Sequence, residues 1–225
     1  MNLNTIKHRI IYGHFDENNF NINHDDKLTM VELENLDTVK ICLEECIKDN
    51  IKGDFIETGV WRGGTSIWAH NILKELDNTR KVYVYDSFEG CPIPNGALYP
   101  VDANDNHYQI NHLAVSLERV QENFRLFGEI NENTVFVKGW FKDTMPINKI
   151  DKLCIMRLDG DLYESTIQVL EALYSKLSSG GFCIIDDFGP HWGAYQATHD
   201  FREKYNITEP IINIPNTSSA YWKKF

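Results

Sequence analysis

Pairs of aspartates stand directly after two apolar segments in this 225-residue sequence. Asp159 and Asp161 follow one of these segments, and Asp186 and Asp187 follow the other. Both segments are typical of buried strands, and the carboxyl ends of parallel strands meet at one edge of a sheet. Carboxylates brought together there repel one another unless a cation is present. The pattern predicts a site for a hard ion, Mg²⁺ before Mn²⁺ or Ca²⁺, and the alternative is a set of solvated loop acids.

A histidine follows the second aspartate pair in the sequence. His191 lies four residues after Asp187, at the predicted mouth of the same region. An imidazole changes its charge near neutral pH and can act as a general base. His191 is therefore a candidate proton acceptor, although an isolated histidine more often has a structural role.

A glycine-rich turn follows the first predicted strand and leads into a helix. It begins at Glu57 and places glycines at positions 59, 63 and 64, which permit a tight turn and the close approach of a ligand. The turn matches neither the GxGxxG dinucleotide fingerprint nor a P-loop. An acid at the strand end suits the cationic end of a ligand better than a pyrophosphate. The alternative is that the glycines only permit the tight turn and bind no ligand.

Two further strand ends carry residues that suit a nucleoside. Asp86 lies 22 residues after Gly64, the spacing at which an acid meets ribose hydroxyls in nucleoside-binding α/β folds. Trp140 and Phe141 follow Gly139 after the third strand, where an aromatic pair could flank an adenine ring. Each feature alone also fits a cap acid or ordinary packing. Together with the glycine-rich turn they predict a nucleoside cofactor.

Strands alternate with helices from residue 53 onward, which predicts a parallel sheet wrapped by helices on both faces. We expect strands over residues 54–58, 81–85, 135–138, 153–158, 182–185, 211–214 and 220–223. The last two would form a terminal hairpin. We expect helices over residues 29–50, 65–76, 112–127, 164–177 and 194–205, with residues 178–181 closing the fourth.

The chain divides into a polar N-terminal arm, residues 1–28, and a single domain, residues 29–225. The arm is rich in Asn and Asp, which predicts an extended segment. Thr29 and Glu32 fit a capping box at the start of the first domain helix. The long segment 87–111 contains three prolines and is typical of a functional lid or site wall.

We expect the arm and the segment 87–111 to close together over the carboxylates, because the reaction site must be kept from bulk water. The aromatic and apolar residues available for this are Phe15, Phe20, Met30, Tyr99 and Tyr108. Removal of residues 1–22 should then impair turnover and preserve the fold. The alternative is that the arm packs on a neighbouring subunit.

The composition excludes several classes of protein. Lys and Arg number 22 against 33 Asp and Glu, and the net charge of −11 disfavours a nucleic acid or an anionic membrane as main partner. No apolar run approaches the length of a membrane span. The cysteines lack CxxC spacing, which indicates small buried side chains in a reducing cytoplasm. They are Cys42, Cys46, Cys91, Cys154 and Cys183.

Five motifs, in this order, resemble the macrocin O-methyltransferase family. They are FIETGVWRGGTS (55–66), DSFEG (86–90), GWFKDTMP (139–146), RLDGDLYEST (157–166) and IIDDFG (184–189). The resemblance implies an α/β, Rossmann-like S-adenosylmethionine-dependent methyltransferase fold. Its sheet would be mostly parallel and seven-stranded, with a terminal antiparallel strand. The resemblance also implies Mg²⁺-dependent methylation of a sugar hydroxyl, in an enzyme that forms a homodimer.

The resemblance assigns cofactor contacts to three of the motifs. The turn after the first strand would surround the methionine moiety with Glu57, Thr58, Gly59, Trp61, Gly63, Gly64 and Thr65. Asp86 and Ser87 match the ribose-binding position, and Gly139, Trp140 and Phe141 match the adenine end.

The resemblance assigns the metal to the aspartates. Asp159, Asp186 and Asp187 match the family's metal ligands, and Asp159 is the expected proton acceptor, with Asp161 and His191 as rivals. One alternative keeps this cofactor and metal but methylates a catechol-type phenol. Another is a non-catalytic module that retains only the nucleoside pocket.

Overall fold

Strands and helices alternate along most of the chain. The computed structural model describes residues 1–16, 21–23, 26–128 and 130–225. The strands are β1 (His14–Asp16), β2 (Asn21–Asn23), β3 (Asp54–Thr58), β4 (Val82–Asp86), β5 (Thr134–Lys138), β6 (Leu153–Leu158), β7 (Leu177–Ile185), β8 (Ile212–Asn213) and β9 (Ala220–Lys223). The helices are α1 (Leu3–Tyr12), α2 (Leu33–Lys48), α3 (Gly64–Leu76), α4 (Leu117–Arg125), α5 (Phe141–Thr144), α6 (Tyr163–Leu173) and α7 (Gly193–Lys204).

Seven strands form one sheet in the order β5-β4-β3-β6-β7-β9-β8. The first five strands of this order run parallel to their neighbours. β9 pairs antiparallel with β7, and β8 pairs antiparallel with β9. β1 and β2 form a separate antiparallel pair. The mostly parallel seven-stranded sheet with a terminal antiparallel strand is therefore confirmed, as is the terminal hairpin.

Helices cover both faces of the sheet because its central strands are apolar on both faces. All six residues of β6 are buried. Phe55 and Ile56 are neighbours on β3, so their side chains point to opposite faces, and both are fully buried. Phe55 packs in the core beneath α2 and α3, whereas Ile56 packs in the core beneath α6 and α7. The sheet is thus held rigidly, with its strand ends available for a site.

The N-terminal arm contains a helix, so the prediction of an extended arm is wrong for α1. Asn2 caps this helix by accepting a hydrogen bond from the Thr5 N–H at 2.9 Å. Ile6 and Ile10 are buried in the core beneath α2 and α3. The Ile10 carbonyl also accepts a hydrogen bond from the Leu28 N–H at 2.8 Å. The sequence did not predict this helix, because only two of its residues, Ile6 and Ile10, are buried and form its apolar face.

Part of the predicted lid lies outside the described residues, namely Phe20 and the side chain of Phe15. Met30 is about half exposed and lines the cavity described below. Removal of residues 1–22 would take Ile6 and Ile10 out of the core. Their burial argues against the expectation that this truncation preserves the fold.

The predicted capping box at the start of α2 is wrong. α2 begins at Leu33, and Glu32 is its N-cap residue. The hydroxyl of Thr29 accepts a hydrogen bond from a backbone N–H two residues further on. The Leu28 carbonyl accepts a hydrogen bond from the Gly64 N–H at 3.0 Å. This contact holds the preceding segment against the start of α3, and α2 therefore begins later than predicted.

Several further element boundaries differ from the prediction. The helix expected from residue 112 begins at Leu117, after Ser116, whose hydroxyl accepts a hydrogen bond from the Arg119 N–H at 3.3 Å. Residues 178–181, expected to close a helix, belong to β7. A Cβ at Gly181 would lie 2.7 Å from the Cys154 carbonyl oxygen. This glycine therefore permits the close approach of two strands and does not mark a helix end.

Candidate active site

The carboxyl ends of the parallel strands open into a cavity of about 790 Å³. Seven of the residues predicted to bind the cofactor line it: Gly59, Trp61, Asp86, Ser87, Gly139, Trp140 and Phe141. Asp159 and Asp161 line the same cavity at the end of β6. The structure therefore brings the predicted nucleoside-binding residues and one predicted metal ligand into a single space.

Other predicted residues lie outside the lining of this cavity. Among the described residues, the lining excludes Glu57, Thr58, Gly63, Gly64, Thr65, Asp186, Asp187 and His191. Glu57 and Thr58 are buried beneath the turn, whereas His191 is exposed to solvent. These residues can therefore act on a ligand in the cavity only through the residues that they contact, or after they have moved.

Gly59 brings the turn after β3 into contact with the end of β6. Its φ is +84°, and a Cβ at this position would lie 1.6 Å from the Asp159 carbonyl oxygen. Any side chain would therefore push the two strand ends apart. Gly63 is the N-cap of α3 and Gly64 contacts Leu28, so these two glycines position α3 and the N-terminal segment.

Asp86 joins the end of β4 to the glycine-rich turn. Its Oδ2 accepts a hydrogen bond from the Val60 N–H at 2.7 Å, and its Oδ1 accepts one from the Phe88 N–H at 2.7 Å. Burial raises the pKa of Asp86, while these N–H groups oppose the rise. The carboxylate is thus fixed in orientation with lone pairs remaining for a ligand.

The aromatic pair lies at the end of β5, beside Asp86. The Gly139 N–H donates to the Asp86 carbonyl at 2.9 Å, which fixes the position of the following residues. Trp140 is the N-cap residue of α5 and Phe141 is its first residue. Both are partly exposed and line the cavity. They can therefore offer apolar surface to a planar ligand held by Asp86.

Arg157 on β6 is a site residue that the sequence reasoning missed. Its side chain is 1% exposed. Nη1 donates to Glu57 Oε1 at 2.5 Å and to Asp159 Oδ2 at 2.8 Å, and Nη2 donates to Asp186 Oδ2. Burial disfavours its charged form, but Asp159, Asp186 and Glu57 together raise the pKa of Arg157 above its ordinary value. A charged residue within an otherwise apolar strand was the signal that could have found it.

Two serines complete the arrangement around Arg157. The Ser66 hydroxyl on α3 donates to Glu57 Oε2, and the Ser219 hydroxyl before β9 donates to Asp186 Oδ1. Ser219 Oγ in turn accepts a hydrogen bond from Asn35 Nδ2 at 2.8 Å. The carboxylates of β3 and β7 are therefore held from both sides, and Glu57 acts on the site through Arg157.

If all the strand-end aspartates were ionised, their negative charge would exceed the single positive charge of Arg157. Burial raises the pKa of Asp159 well above its ordinary value. Burial, followed by the charges of Asp159, Asp161 and Asp186, raises the pKa of Asp187 to about 10. Asp161 and Asp187 also adopt left-handed φ values of +59° and +52°. Crowded acids on unusual backbone are typical of functional sites.

The aspartates fit a hard divalent cation in their chemistry. They offer carboxylate oxygens, and a cation would relieve the repulsion that raises the pKa values of Asp159 and Asp187. Arg157 engages Asp159 and Asp186 in this structure. Within the described residues, no group of three or more His, Cys, Asp or Glu side chains is already arranged as a metal centre. The donor set therefore fits Mg²⁺, with reorientation of the carboxylates on binding.

The loop 87–111 forms a wall of the cavity and is anchored to the domain. Asp102 is 3% exposed and accepts hydrogen bonds from the Tyr163 N–H at 2.8 Å and the Glu164 N–H at 2.9 Å. It therefore caps the N-terminus of α6 from a distant part of the chain. The thiol of Cys91, also on this loop, donates a hydrogen bond to Asp161 Oδ2 at 3.5 Å. The loop is thus a structured wall of the site.

Comparison with known families agrees with this architecture. A family model described as macrocin O-methyltransferase (TylF) matches residues 12–224. The chain belongs to the macrocin O-methyltransferase family. This membership confirms the family that the five sequence motifs resemble and the prediction of an O-methyltransferase.

Known relatives share the family over most of their length. A Streptomyces olivaceus protein named 8-demethyl-8-(2,3-dimethoxy-alpha-L-rhamnosyl)-tetracenomycin-C 4'-O-methyltransferase is 44% identical over 197 residues, which cover 87% of this chain and 75% of the relative. The mycinamicin III 3''-O-methyltransferase of Micromonospora griseorubida is 40% identical over 200 residues, covering 87% and 78%. The solved structure of the O-methyltransferase NovP superposes with a TM-score of 0.87 at 35% identity, covering 99% of this chain and 97% of NovP.

The structure also bears on the cysteines and on the helices. All five cysteines are free, and four of them are buried, with Cys91 partly exposed. In the described part of the chain, no helix is long and apolar enough to cross a membrane.

Proposed function

We propose that this protein transfers a methyl group from S-adenosylmethionine to a hydroxyl of a sugar or sugar-containing compound, with assistance from Mg²⁺. The observation that carries the proposal is the single cavity lined by Asp86, Trp140 and Asp159 in a member of this family. The Streptomyces relative is named for a rhamnosyl compound, which favours a sugar hydroxyl over the catechol-type phenol.

The cofactor is assigned to the half of the cavity formed by β3, β4 and β5. Asp86 binds the ribose hydroxyls with the lone pairs that the Val60 and Phe88 N–H groups leave available. Trp140 and Phe141 flank the adenine ring, and the turn at Gly59 surrounds the methionine moiety. Thr58, Gly63, Gly64 and Thr65 support that turn from behind.

The metal is assigned to Asp159, Asp186 and Asp187. Bound Mg²⁺ would supply Lewis acidity, which lowers the pKa of an adjacent sugar hydroxyl. Arg157 holds the carboxylates of Asp159 and Asp186 near one another, and these carboxylates would turn toward the ion on binding. It also neutralises part of their charge.

Asp159 is the proposed proton acceptor for the sugar hydroxyl. Its carboxylate lines the cavity, and as a ligand of the ion it would be the carboxylate nearest to a hydroxyl held there. Asp161 lines the same cavity and is the first rival. His191, the second rival, is exposed and would have to approach the site to take the proton.

Isothermal titration with S-adenosylmethionine tests the cofactor assignment. We expect saturable binding at a single site in the full chain. If the folded protein, verified by circular dichroism, gives no heat of binding at millimolar cofactor, the proposed function is wrong.

The metal assignment is tested separately. Asp186→Asn should abolish turnover and leave cofactor affinity largely intact, because this carboxylate lies outside the cofactor half of the cavity. The loss corresponds to ~4 kcal/mol or more of barrier, or about three powers of ten in rate. Full activity after exhaustive chelation would contradict the role of Mg²⁺.

We also propose a cytoplasmic homodimer. The four buried free cysteines support a reducing compartment. Light scattering coupled to size-exclusion chromatography measures the mass directly, and a monomer at micromolar concentration would contradict the dimer.

A further inference from the structure

Asp186 is held by two residues that come from parts of the chain far from β6 and from each other. The hydroxyl of Ser219, immediately before β9, donates a hydrogen bond to Asp186 Oδ1. Asn35 Nδ2, in the first turn of α2, donates to Ser219 Oγ at 2.8 Å across 184 positions of sequence. All three side chains are buried. A chain of hydrogen bonds therefore leads from α2 through the terminal hairpin to a predicted metal ligand.

The order of donors in this chain fixes where the serine hydroxyl points. A hydroxyl has one proton to donate and lone pairs that accept. Because the Asn35 amide donates to Ser219 Oγ, it occupies a lone pair of that oxygen, and the hydroxyl proton is left for Asp186. Asn35 thus orients the hydroxyl that Ser219 presents to the carboxylate.

The two oxygens of the Asp186 carboxylate have different partners. Oδ1 accepts from the Ser219 hydroxyl and from the Asp187 N–H at 3.1 Å. Oδ2 accepts from Arg157, which also donates to Asp159. Since each carboxylate oxygen has two lone pairs, these two donors saturate Oδ1, whereas Oδ2 has capacity for a further ligand. The Ser219 contact therefore leaves Oδ2 as the oxygen that can be offered to a cation.

The fold holds Asn35 and Ser219 in position before any ion binds. Trp68 Nε1 on α3 donates to the Leu36 carbonyl at 2.7 Å, which ties the first turn of α2 to α3 beside Asn35. The Ser219 carbonyl accepts a hydrogen bond from the Ile214 N–H at 2.8 Å within the terminal hairpin. The pair is therefore pre-ordered, as are the hydrogen-bond partners that orient metal ligands in proteins.

Stability alone does not explain an asparagine at position 35. Its Oδ1 is buried and has no hydrogen-bond partner among the described residues. A buried amide with an unpaired oxygen destabilises a fold, and an apolar side chain would avoid that loss. The amide group does make its hydrogen bond to Ser219, which points to a role at Asp186.

We propose that Asn35 and Ser219 are positioning residues for the metal, which orient the Asp186 carboxylate and thereby raise its affinity for a divalent ion. The proposal rests on the proposed function, because it takes Asp186 as a ligand of that ion. Neither residue lines the cavity, so both act through Asp186. The first turn of α2 and the terminal hairpin thus take part in metal binding.

Titration of the full chain with Mn²⁺ as probe tests this proposal, with the free ion measured by electron paramagnetic resonance. Ser219→Ala should raise the Mn²⁺ dissociation constant by about tenfold or more, the effect typical of removing a hydrogen-bond partner of a metal ligand. Asn35→Leu should raise it by a smaller factor, because the hydroxyl remains but is no longer oriented. Isothermal titration should show largely unchanged affinity for S-adenosylmethionine in both variants.

Ser178→Ala is the matched control for the loss of a serine hydroxyl. Ser178 lies near the start of β7, at the opposite edge of the sheet from Asp186, and its hydroxyl donates to the Lys52 carbonyl at 2.7 Å. Its affinity for Mn²⁺ should equal that of the unmodified chain.

A double variant tests whether Asn35 acts through Ser219. When Asn35→Leu is added to Ser219→Ala, Mn²⁺ binding should weaken no further, because the hydroxyl that Asn35 orients is already absent. Circular dichroism verifies that each variant is folded at the temperature of the titration.

Three results would overturn the proposal: unchanged Mn²⁺ affinity in Ser219→Ala, effects of the two substitutions that multiply in the double variant, or an equal loss of cofactor affinity in Ser219→Ala. The proposed methyl transfer would survive each of them. Absence of Mn²⁺ binding to the unmodified chain would contradict the metal assignment itself, and this proposal with it.

Discussion

Arg157 is the residue on which the active-site carboxylates depend. It is a buried cation between Glu57, Asp159 and Asp186, which lie on three adjacent strands. Arg157→Met would leave buried carboxylates without their partner, so we expect a loss of about 3–5 kcal/mol in the free energy of unfolding. Urea unfolding followed by circular dichroism measures it.

An exposed arginine provides the control for this substitution. Arg119 pairs with Glu122 at 3.5 Å, and both side chains are more than half exposed. Arg119→Met should change the free energy of unfolding by about 0.5 kcal/mol or less. Equal losses for the two variants would show that the Arg157 network does not stabilise the fold.

Asp86 is the residue whose charge should matter most for cofactor affinity. Asp86→Asn keeps the size of the side chain but removes the charge that strengthens hydrogen bonds to ribose hydroxyls. A hydrogen bond to a charged group contributes about 1.5–3 kcal/mol, so the dissociation constant for S-adenosylmethionine should rise by about tenfold or more. Isothermal titration gives this constant.

Glu89→Gln is the matched control, since Glu89 is a nearby acid that pairs with Lys138 at 3.0 Å and is more than half exposed. Its affinity for the cofactor should equal that of the unmodified chain. An unchanged affinity in Asp86→Asn would remove Asp86 from the ribose site.

The sequence predicted residues of the cavity lining best where a polar or aromatic side chain stands at the end of a predicted strand. Asp86, Trp140 and Asp159 line one cavity because each stands at or just after the carboxyl end of a parallel strand. Arg157 was missed because the aspartates were considered only as ligands of a cation from solution. The sequence places a cation, Arg157, one residue before the end of the predicted strand 153–158, and its side chain meets Glu57 from β3 and Asp186 from the end of β7.

Helix α1 is the element whose contribution to stability was least visible in the sequence. Ile10 is 0% exposed and packs with Ile6 in the core beneath α2 and α3. Ile10→Ala should lower the free energy of unfolding by about 2–5 kcal/mol, because the site cannot collapse fully. Thermal unfolding monitored by calorimetry measures the change.

Ile147→Ala is the control, because it removes the same atoms from a surface side chain that is 75% exposed. Its effect should be within about 0.5 kcal/mol. If Ile10→Ala proved as mild, α1 would be a detachable arm, as the sequence alone indicates.

Elements were predictable in proportion to their burial. β3 and β6 match the prediction residue for residue, because short apolar runs of this kind are typical of buried strands. α1 and the start of α2 were not predictable, because their positions depend on tertiary contacts such as the hydrogen bond from the Gly64 N–H to the Leu28 carbonyl. Loop 87–111 was located correctly, but its anchor at Asp102 could not be read from local sequence.

At the scale of the whole molecule, the two halves of the sheet carry the residues assigned to two different ligands. β3, β4 and β5 carry the residues assigned to the nucleoside, and β6 and β7 carry the aspartates assigned to the metal. Arg157 joins the two halves by bridging Glu57 on β3 to Asp186 after β7. The acidic net charge of −11 is compatible with the proposed binding of a cationic cofactor and a divalent ion.

Mass spectrometry of reaction products tests the central claim most directly. The full chain is incubated with S-adenosylmethionine, Mg²⁺ and a panel of glycosides and catechols, beside the Asp159→Asn variant and a chelated sample. The account predicts one added methyl group on a sugar hydroxyl, with the product lost in the variant and after chelation. Methylation of catechols alone, or of no acceptor by a chain that binds the cofactor, would contradict it.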